Sequence, residues 1–198
     1  MSTADDKRAL RAEMRARRSA IPEAERAAAA GRVAELAAER GAFRNRPVVS
    51  GYLPLAAELS PLPLLARART AGCTVTVPVV RGRDRPLAFV AWTPETPLAW
   101  SAHGTQEPSD SAVELRPDLV LVPLLAFDAK GERLGFGGGY FDRTIAALRA
   151  AGRVTALGLA YAAQEIDEVP HETHDQRLDA VLTEQGITTF TDRPLFGA

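Results

Sequence analysis

Cysteine is nearly missing: Cys73 stands alone among 198 residues, which excludes an intramolecular disulfide and points to a reducing compartment. Its surroundings, CTVTVPVV at 73–80, read as a buried strand, so the thiol is expected to be packed and inert rather than nucleophilic. Long apolar runs are missing too. None approaches the ~18 residues of a membrane span, and the N-terminus is charged rather than signal-like, so a cytoplasmic chain with no membrane partner is expected. Neither sign of charge dominates. A formal net charge of -1 argues against nucleic-acid binding through overall charge, while local basic patches stay open. Of the three histidines, His171 and His174 in HETHD have H-x-x-H spacing but no cysteine companions, which is weak evidence for zinc. Both are expected in a loop near the mouth of a site, and His103 has no identifiable partner.

What is present is 46% hydrophobic and 25% charged, an ordinary soluble composition in a chain long enough to bury a core. No repeat or linker divides it, so residues 1–198 are expected to form one domain. The first forty residues read as two helices around Pro22, a residue suited to the first turn of the second. In the first helix Leu10 and Met14 make an apolar edge, with Lys7, Arg11, Arg15 and Arg18 as a basic stripe beside it.

After Pro47 the pattern alternates. VVSGYL (48–53), CTVTVPVV, LAFVAW (87–92), VTALGLAY (154–161) and DAVLTEQG (179–186) read as strands. Residues 60–72 read as a helix opened by Ser60 and closed by Gly72, and a second helix covers about 139–151. Residues 93–117 read as a long loop, with Trp92 and Trp100 as packing residues. DLVLVPLLAF (118–127) is apolar on both faces, as in a covered parallel strand. The expected fold is α/β: a three-layer α/β/α domain with a mostly parallel central sheet and N-terminal helices.

The segment FDAKGERLGFGGGYFDR (127–143) follows that strand, where ligands of such sheets sit. Gly135, Gly137, Gly138 and Gly139 would let backbone amides approach an anion, and the helix that follows would aim its unpaired amides at the same point. Lys130 and Arg133 bracket the loop with positive charge, and Asp142 could reach a metal carried by a polyphosphate. Asp142 is also expected to be replaceable by Asn with the fold intact, since it lies at a helix start. Neither G-x-x-x-x-G-K-[ST] nor G-x-G-x-x-G is present. Spacing alone therefore leaves phosphate binding beside a plain flexible loop.

LVPLLAFDAKGERLGFGGGYFDR (121–143) resembles the signature of the 5-formyltetrahydrofolate cyclo-ligase family, also called 5,10-methenyltetrahydrofolate synthetase. KRALR (7–11), YLPLAAEL (52–59) and VPHETHDQRLDAVLTE (169–184) agree with it in order and spacing. The resemblance implies an ATP-dependent ring closure: phosphorylation of the formyl oxygen of 5-formyltetrahydrofolate, attack by N10, and release of ADP and phosphate. It implies ATP contacts from Lys7, Arg8, Ala9, Leu10 and Arg11, and from Arg133, Leu134, Gly135, Phe136, Gly137, Gly138, Gly139, Tyr140 and Phe141. Folate contacts would come from Leu53, Glu58, Phe136, Gly137, Gly138, Gly139 and Tyr140. Arg133 and Tyr140 would act at the reacting centre, and Asp142 and Asp175 would hold Mg²⁺. ATP and 5-formyltetrahydrofolate are the implied partners, with no nucleic acid, no membrane and a monomeric chain. The sequence departs from the family pattern at Phe141, where a second tyrosine is usual, and at Phe136, where relatives often carry Tyr or Arg. GTQEP (104–108) is similar to a family Glu-Pro segment of unassigned role. Two other readings stay open on the residues: another α/β enzyme acting on a phosphorylated small molecule, and a nucleotide-binding module without catalysis.

Overall fold

Pro22 separates α1 (Thr3–Ser19) from α2 (Glu23–Glu39) and stands one residue before the second helix, with an extended ψ of 148°. The computed structural model describes residues 3–101, 104–108, 113–192 and 195–196; His103 lies outside them. Beyond α2 come β1 (Val48–Ser50), α3 (Leu62–Thr70), β2 (Thr74–Val79), β3 (Ala88–Ala91), β4 (Leu98–Trp100) and β5 (Gln106–Pro108). Then follow β6 (Leu119–Pro123), β7 (Ala126–Phe127), β8 (Arg133–Leu134), α4 (Tyr140–Ala151), β9 (Thr155–Leu159), β10 (Ala180–Thr183) and β11 (Gly186–Thr189).

Seven strands form the central sheet in the order β11-β10-β9-β6-β1-β2-β3. The inner neighbours run parallel, and only the edge strands β3 and β11 pair antiparallel. The expected mostly parallel α/β sheet is therefore observed. Alternation along β6 explains the layering, because successive side chains leave opposite faces. Leu119 and Leu121 pack with Val33 and Ala37 of α2 and Leu64 and Leu65 of α3. Val120 and Val122 pack on the other face with Ile145 of α4, Ala156 and Val181. Cys73 is buried, and burial raises the pKa of its thiol, as expected of a packed residue.

Several elements differ from the sequence expectation. The apolar run 118–127 is not one strand. After Pro123 the Leu124 carbonyl is taken by the Gln164 side-chain amide at 2.8 Å, and the Leu125 N–H by the Leu134 carbonyl. The chain thus leaves the sheet for the β7–β8 hairpin, which carries the glycine segment outward. Residues 93–117 are not all loop either, since β4 and β5 pair as a second hairpin. VVSGYL contributes only Val48–Ser50 as strand; Gly51 still donates its N–H to the Thr76 carbonyl at 2.9 Å and lies against Leu65 with no room for a Cβ. The helix expected at 60–72 is shorter, although the Ser60 hydroxyl accepts the Leu62 N–H and Gly72 ends it at φ +87°. Trp92 is buried, as expected of a packing residue, but Trp100 is 73% exposed.

From β1 the chain moves to β2 and β3 on one side, and then crosses to β6 and β9 on the other. The carboxyl ends of β1 and β6 therefore flank a topological switch point, where an open parallel sheet leaves a crevice.

Candidate active site

A cavity of about 480 Å³ opens at that crevice. Its floor is made where strands end: Tyr52 and Leu53 beyond β1, Pro78 and Val80 at the end of β2, Pro123 at the end of β6. The glycine segment from Gly135 to Gly139 forms one wall, continued by Tyr140, Phe141 and Asp142 of α4. Lys7 and Arg11 enter from α1, Glu58 from the connection before α3, and Glu172, His174 and Asp175 from the loop before β10.

The glycine wall is shaped by backbone angles that favour glycine. Gly137 has φ +103°, and Gly139, immediately before α4, has φ +64°. Two arginines brace it. Arg11 Nε donates to the Gly135 carbonyl at 3.0 Å, and Arg143 Nη2 donates to the Gly138 carbonyl at 2.8 Å while its guanidinium lies 5.1 Å from the Tyr140 ring centre. With those carbonyls engaged and the α4 amides starting at the same place, the wall can receive an anion.

Both anticipated metal ligands line the cavity, and both are ion-paired. Lys7 Nζ donates to Asp175 Oδ2 at 2.7 Å, and the Glu172 N–H donates to the same oxygen at 2.9 Å. Burial alone would raise the Asp175 pKa, but the Lys7 and Glu172 hydrogen bonds and the Lys7 and His174 charges hold it below the ordinary aspartate value. Arg133 Nη2 donates to Asp142 Oδ1 at 2.7 Å, its other terminal nitrogen donates to the Gln176 carbonyl, and the Gln176 N–H donates to Asp142 Oδ1 at 2.9 Å. Asp142 therefore neutralises a buried arginine, so its charge contributes to this part of the structure as well as being a candidate metal ligand. In each carboxylate one oxygen, Asp142 Oδ1 and Asp175 Oδ2, is held by N–H donors, while Asp175 Oδ1 stands 3.7 Å from His174 Nε2. Among the described residues no three His, Cys, Asp or Glu side chains converge as a metal cage. Two carboxylates beside a phosphate-sized cradle nonetheless suit Mg²⁺, which takes one or two carboxylates and completes its shell from phosphate and water.

Glu58 occupies the opposite wall and is buried. Its Oε2 accepts the Leu55 N–H at 2.9 Å, and its Oε1 stands 3.9 Å from Arg18 Nη1. Burial raises its pKa above the usual carboxylate value, opposed by the Leu55 N–H and the Arg18 charge. Tyr52, whose hydroxyl donates to the Leu59 carbonyl at 2.6 Å, is likewise driven upward by burial.

Not every anticipated residue reaches the cavity. Arg8 and Ala9 are exposed on α1, and Leu10 packs with the buried cluster of Met14, Leu125 and Leu134. Helical geometry explains the split, because Lys7 and Arg11 are four apart and share a face that the intervening residues do not. Leu134 is itself core. Lys130 does not bracket the loop: it is exposed and pairs with Glu168 at 3.1 Å. Tyr52, Pro78 and the hairpin residues Thr105, Gln106 and Glu107 also line the cavity. Position near the carboxyl end of an expected strand was the available signal for the first two. Sequence offered none for the hairpin beyond the GTQEP similarity.

A family model described as the 5-formyltetrahydrofolate cyclo-ligase family matches residues 3–184. A 5-formyltetrahydrofolate cyclo-ligase of Haemophilus influenzae is 36% identical over 100 residues, covering 48% of this chain and 53% of that protein. One of Mycolicibacterium smegmatis is 33% identical over 143 residues, covering 68% of this chain and 72% of that protein. The NMR structure of Aquifex aeolicus 5,10-methenyltetrahydrofolate synthetase superposes with a TM-score of 0.79 at 26% identity, over 95% of this chain and 94% of that one. The family match takes in the α1 cations, Glu58, the glycine wall and both aspartates, and the chain belongs to the 5-formyltetrahydrofolate cyclo-ligase family.

Proposed function

We propose that this protein converts 5-formyltetrahydrofolate to 5,10-methenyltetrahydrofolate with consumption of ATP. The observation that carries the reading is one cavity with two chemically different walls. A glycine and helix-terminus wall flanked by Lys7 and Arg11 suits phosphates, and an apolar wall ending in a buried carboxylate suits a pterin.

The N5 formyl group is an amide and a poor electrophile. Its oxygen attacks the γ-phosphorus of ATP, ADP leaves, and the formyl carbon becomes an iminium phosphate. N10 then attacks that carbon, phosphate leaves with the oxygen, and the N10 proton is lost. In phosphoryl transfer the protein mainly positions groups and offsets charge. Lys7 and Arg11 would neutralise the phosphates, and the amides of 135–141 would hold the terminal one against the formyl oxygen. Arg133, which lines the cavity, would add charge while fixing Asp142, and Tyr140 would stand between the two substrates. Leu53 and Phe136 would hold the pterin face, and Glu58 would accept hydrogen bonds from its amino and ring N–H groups. Asp142 and Asp175 would hold Mg²⁺, which supplies charge neutralisation for the polyphosphate.

The reading takes the chain as one domain acting as a cytoplasmic monomer without nucleic acid or membrane. No helix of the described residues is long and apolar enough to cross a membrane, and light scattering of the purified chain checks the monomer. The activity is tested by mixing protein, Mg-ATP and 5-formyltetrahydrofolate and following the near-ultraviolet absorbance of the methenyl product. Folded protein giving no product with several divalent metals would falsify it. Turnover of a sugar phosphate without ATP, or ATP binding without folate binding, would support one of the two alternatives.

A further inference from the structure

A second buried charge lies against the folate wall and is not explained by the ring closure. Arg18, in the last turn of α1, is 6% exposed and does not line the cavity. Its Nη1 stands 3.9 Å from Glu58 Oε1 and 3.5 Å from the Leu124 carbonyl, and its guanidinium lies 5.5 Å from the Phe136 ring centre. Its Nε is buried without a partner among the described residues. Burying a charge so incompletely satisfied is costly, and an apolar side chain of similar volume would serve the fold as well or better. Both cavity-lining side chains that Arg18 approaches, Glu58 and Phe136, are ones assigned to the pterin.

We propose that Arg18 is a positioning residue for folate: from behind the wall it keeps Glu58 ionised and turned to the cavity and holds the Phe136 ring in place. This rests on the reading of Glu58 as the pterin contact. The Glu58 side chain lines the cavity, and ionisable groups from three elements face its carboxyl. Arg18 faces it from α1, with Arg15 beside Arg18, Tyr52 faces it from the segment after β1, and Tyr161 from the segment after β9, its hydroxyl donating to the Glu58 carbonyl at 3.3 Å. Both tyrosines are shifted upward by burial, so they stay neutral where a carboxyl titrates. Arg18 is the one cation within ion-pair distance of Glu58 among the described residues. Burial already outweighs the Leu55 N–H and the Arg18 charge at Glu58; removing Arg18 leaves only the Leu55 N–H to oppose burial, and the acid takes up its proton at higher pH.

The test measures 5-formyltetrahydrofolate affinity by calorimetry without ATP, and KM for each substrate, from pH 5 to pH 9. Arg18→Met, which keeps length and removes charge, is expected to raise the folate KM about tenfold at neutral pH, equivalent to about 1.4 kcal/mol, with the ATP KM little changed. The acid limb of folate affinity should move to higher pH. Arg18→Lys should return that limb toward the unsubstituted protein, and the effect of Arg18→Met should shrink in a Glu58→Gln background. A merely structural role predicts the opposite: equal loss for both substrates, an unmoved acid limb and full additivity. That result overturns the proposal, as does an Arg18→Met protein that fails to fold while Arg18→Lys shows no change in the limb. An unsubstituted protein that neither binds nor turns over folate overturns the function with it, so the two failures are distinguishable.

Discussion

Asp142→Asn tests how much of the nucleotide side is built on one buried ion pair. The Arg133 side chain is 3% exposed and that of Asp142 22%, with 2.7 Å between Nη2 and Oδ1. Breaking a fully buried pair by removing one charge costs about 3–5 kcal/mol. Two features reduce that here: the Asn oxygen still accepts from Arg133 and from the Gln176 N–H, and the Asp142 side chain is partly solvated. A remaining loss of roughly 1–3 kcal/mol is expected for the stranded guanidinium. Asp142 also lies in the first turn of α4, where its charge opposes the helix dipole, and removing it adds about 0.3–1 kcal/mol. The sum is about 1–4 kcal/mol, and at about 2–4 °C per kcal/mol for a chain of this length Tm falls roughly 3–16 °C. The assay is thermal unfolding by circular dichroism at pH 7 without nucleotide, where any metal role is silent. An unchanged Tm would show that Arg133 finds another partner and that the pair is not the support described. Arg133→Met combined with Asp142→Asn should regain part of the loss, because no charge is then left stranded.

Gly139→Ala places a Cβ at φ +64° and 2.7 Å from Arg143 Nη1. It should cost about 1–3 kcal/mol in Tm measurements and raise the ATP KM more than the folate KM; equal KM changes would contradict the assignment of that wall to phosphate. The Lys7–Asp175 pair makes stability depend on acid in a defined direction. The folded Asp175 pKa is depressed, so its stabilisation is present above the ordinary aspartate pKa and is lost as pH falls through the lowered folded value. Urea unfolding as a function of pH should show this limb, and Lys7→Met should weaken it; a Lys7→Met profile parallel to that of the unsubstituted protein would refute the coupling.

The α/β class, the apolar central strand and the two N-terminal helices were legible because they are local periodicities, and periodicity is written directly in residue order. β6 reads as buried on both faces and is. The break after Pro123 was not legible, since Leu124 to Phe127 are as apolar as the strand before them. Their departure is set by the Gln164 amide, 40 residues away, and by the β8 backbone. β11 escaped notice for a related reason, as an edge strand with two exposed residues and little apolar signal.

For the candidate site, the sequence by itself determined which chemical groups are present: a glycine run before a helix, cations spaced along α1, and the acids Glu58, Asp142 and Asp175. Only the tertiary structure decided which of these meet. It brought Lys7 to Asp175 across 168 positions and Arg133 to Asp142, and it turned Arg8, Ala9 and Leu10 away. It also buried Arg18, which in the sequence is one more member of a basic stripe, against Glu58 and Phe136. The reason is range: spacing fixes which side chains share a face of one element, whereas ion pairing and desolvation depend on distances between elements, which only the packed sheet and its crossings set.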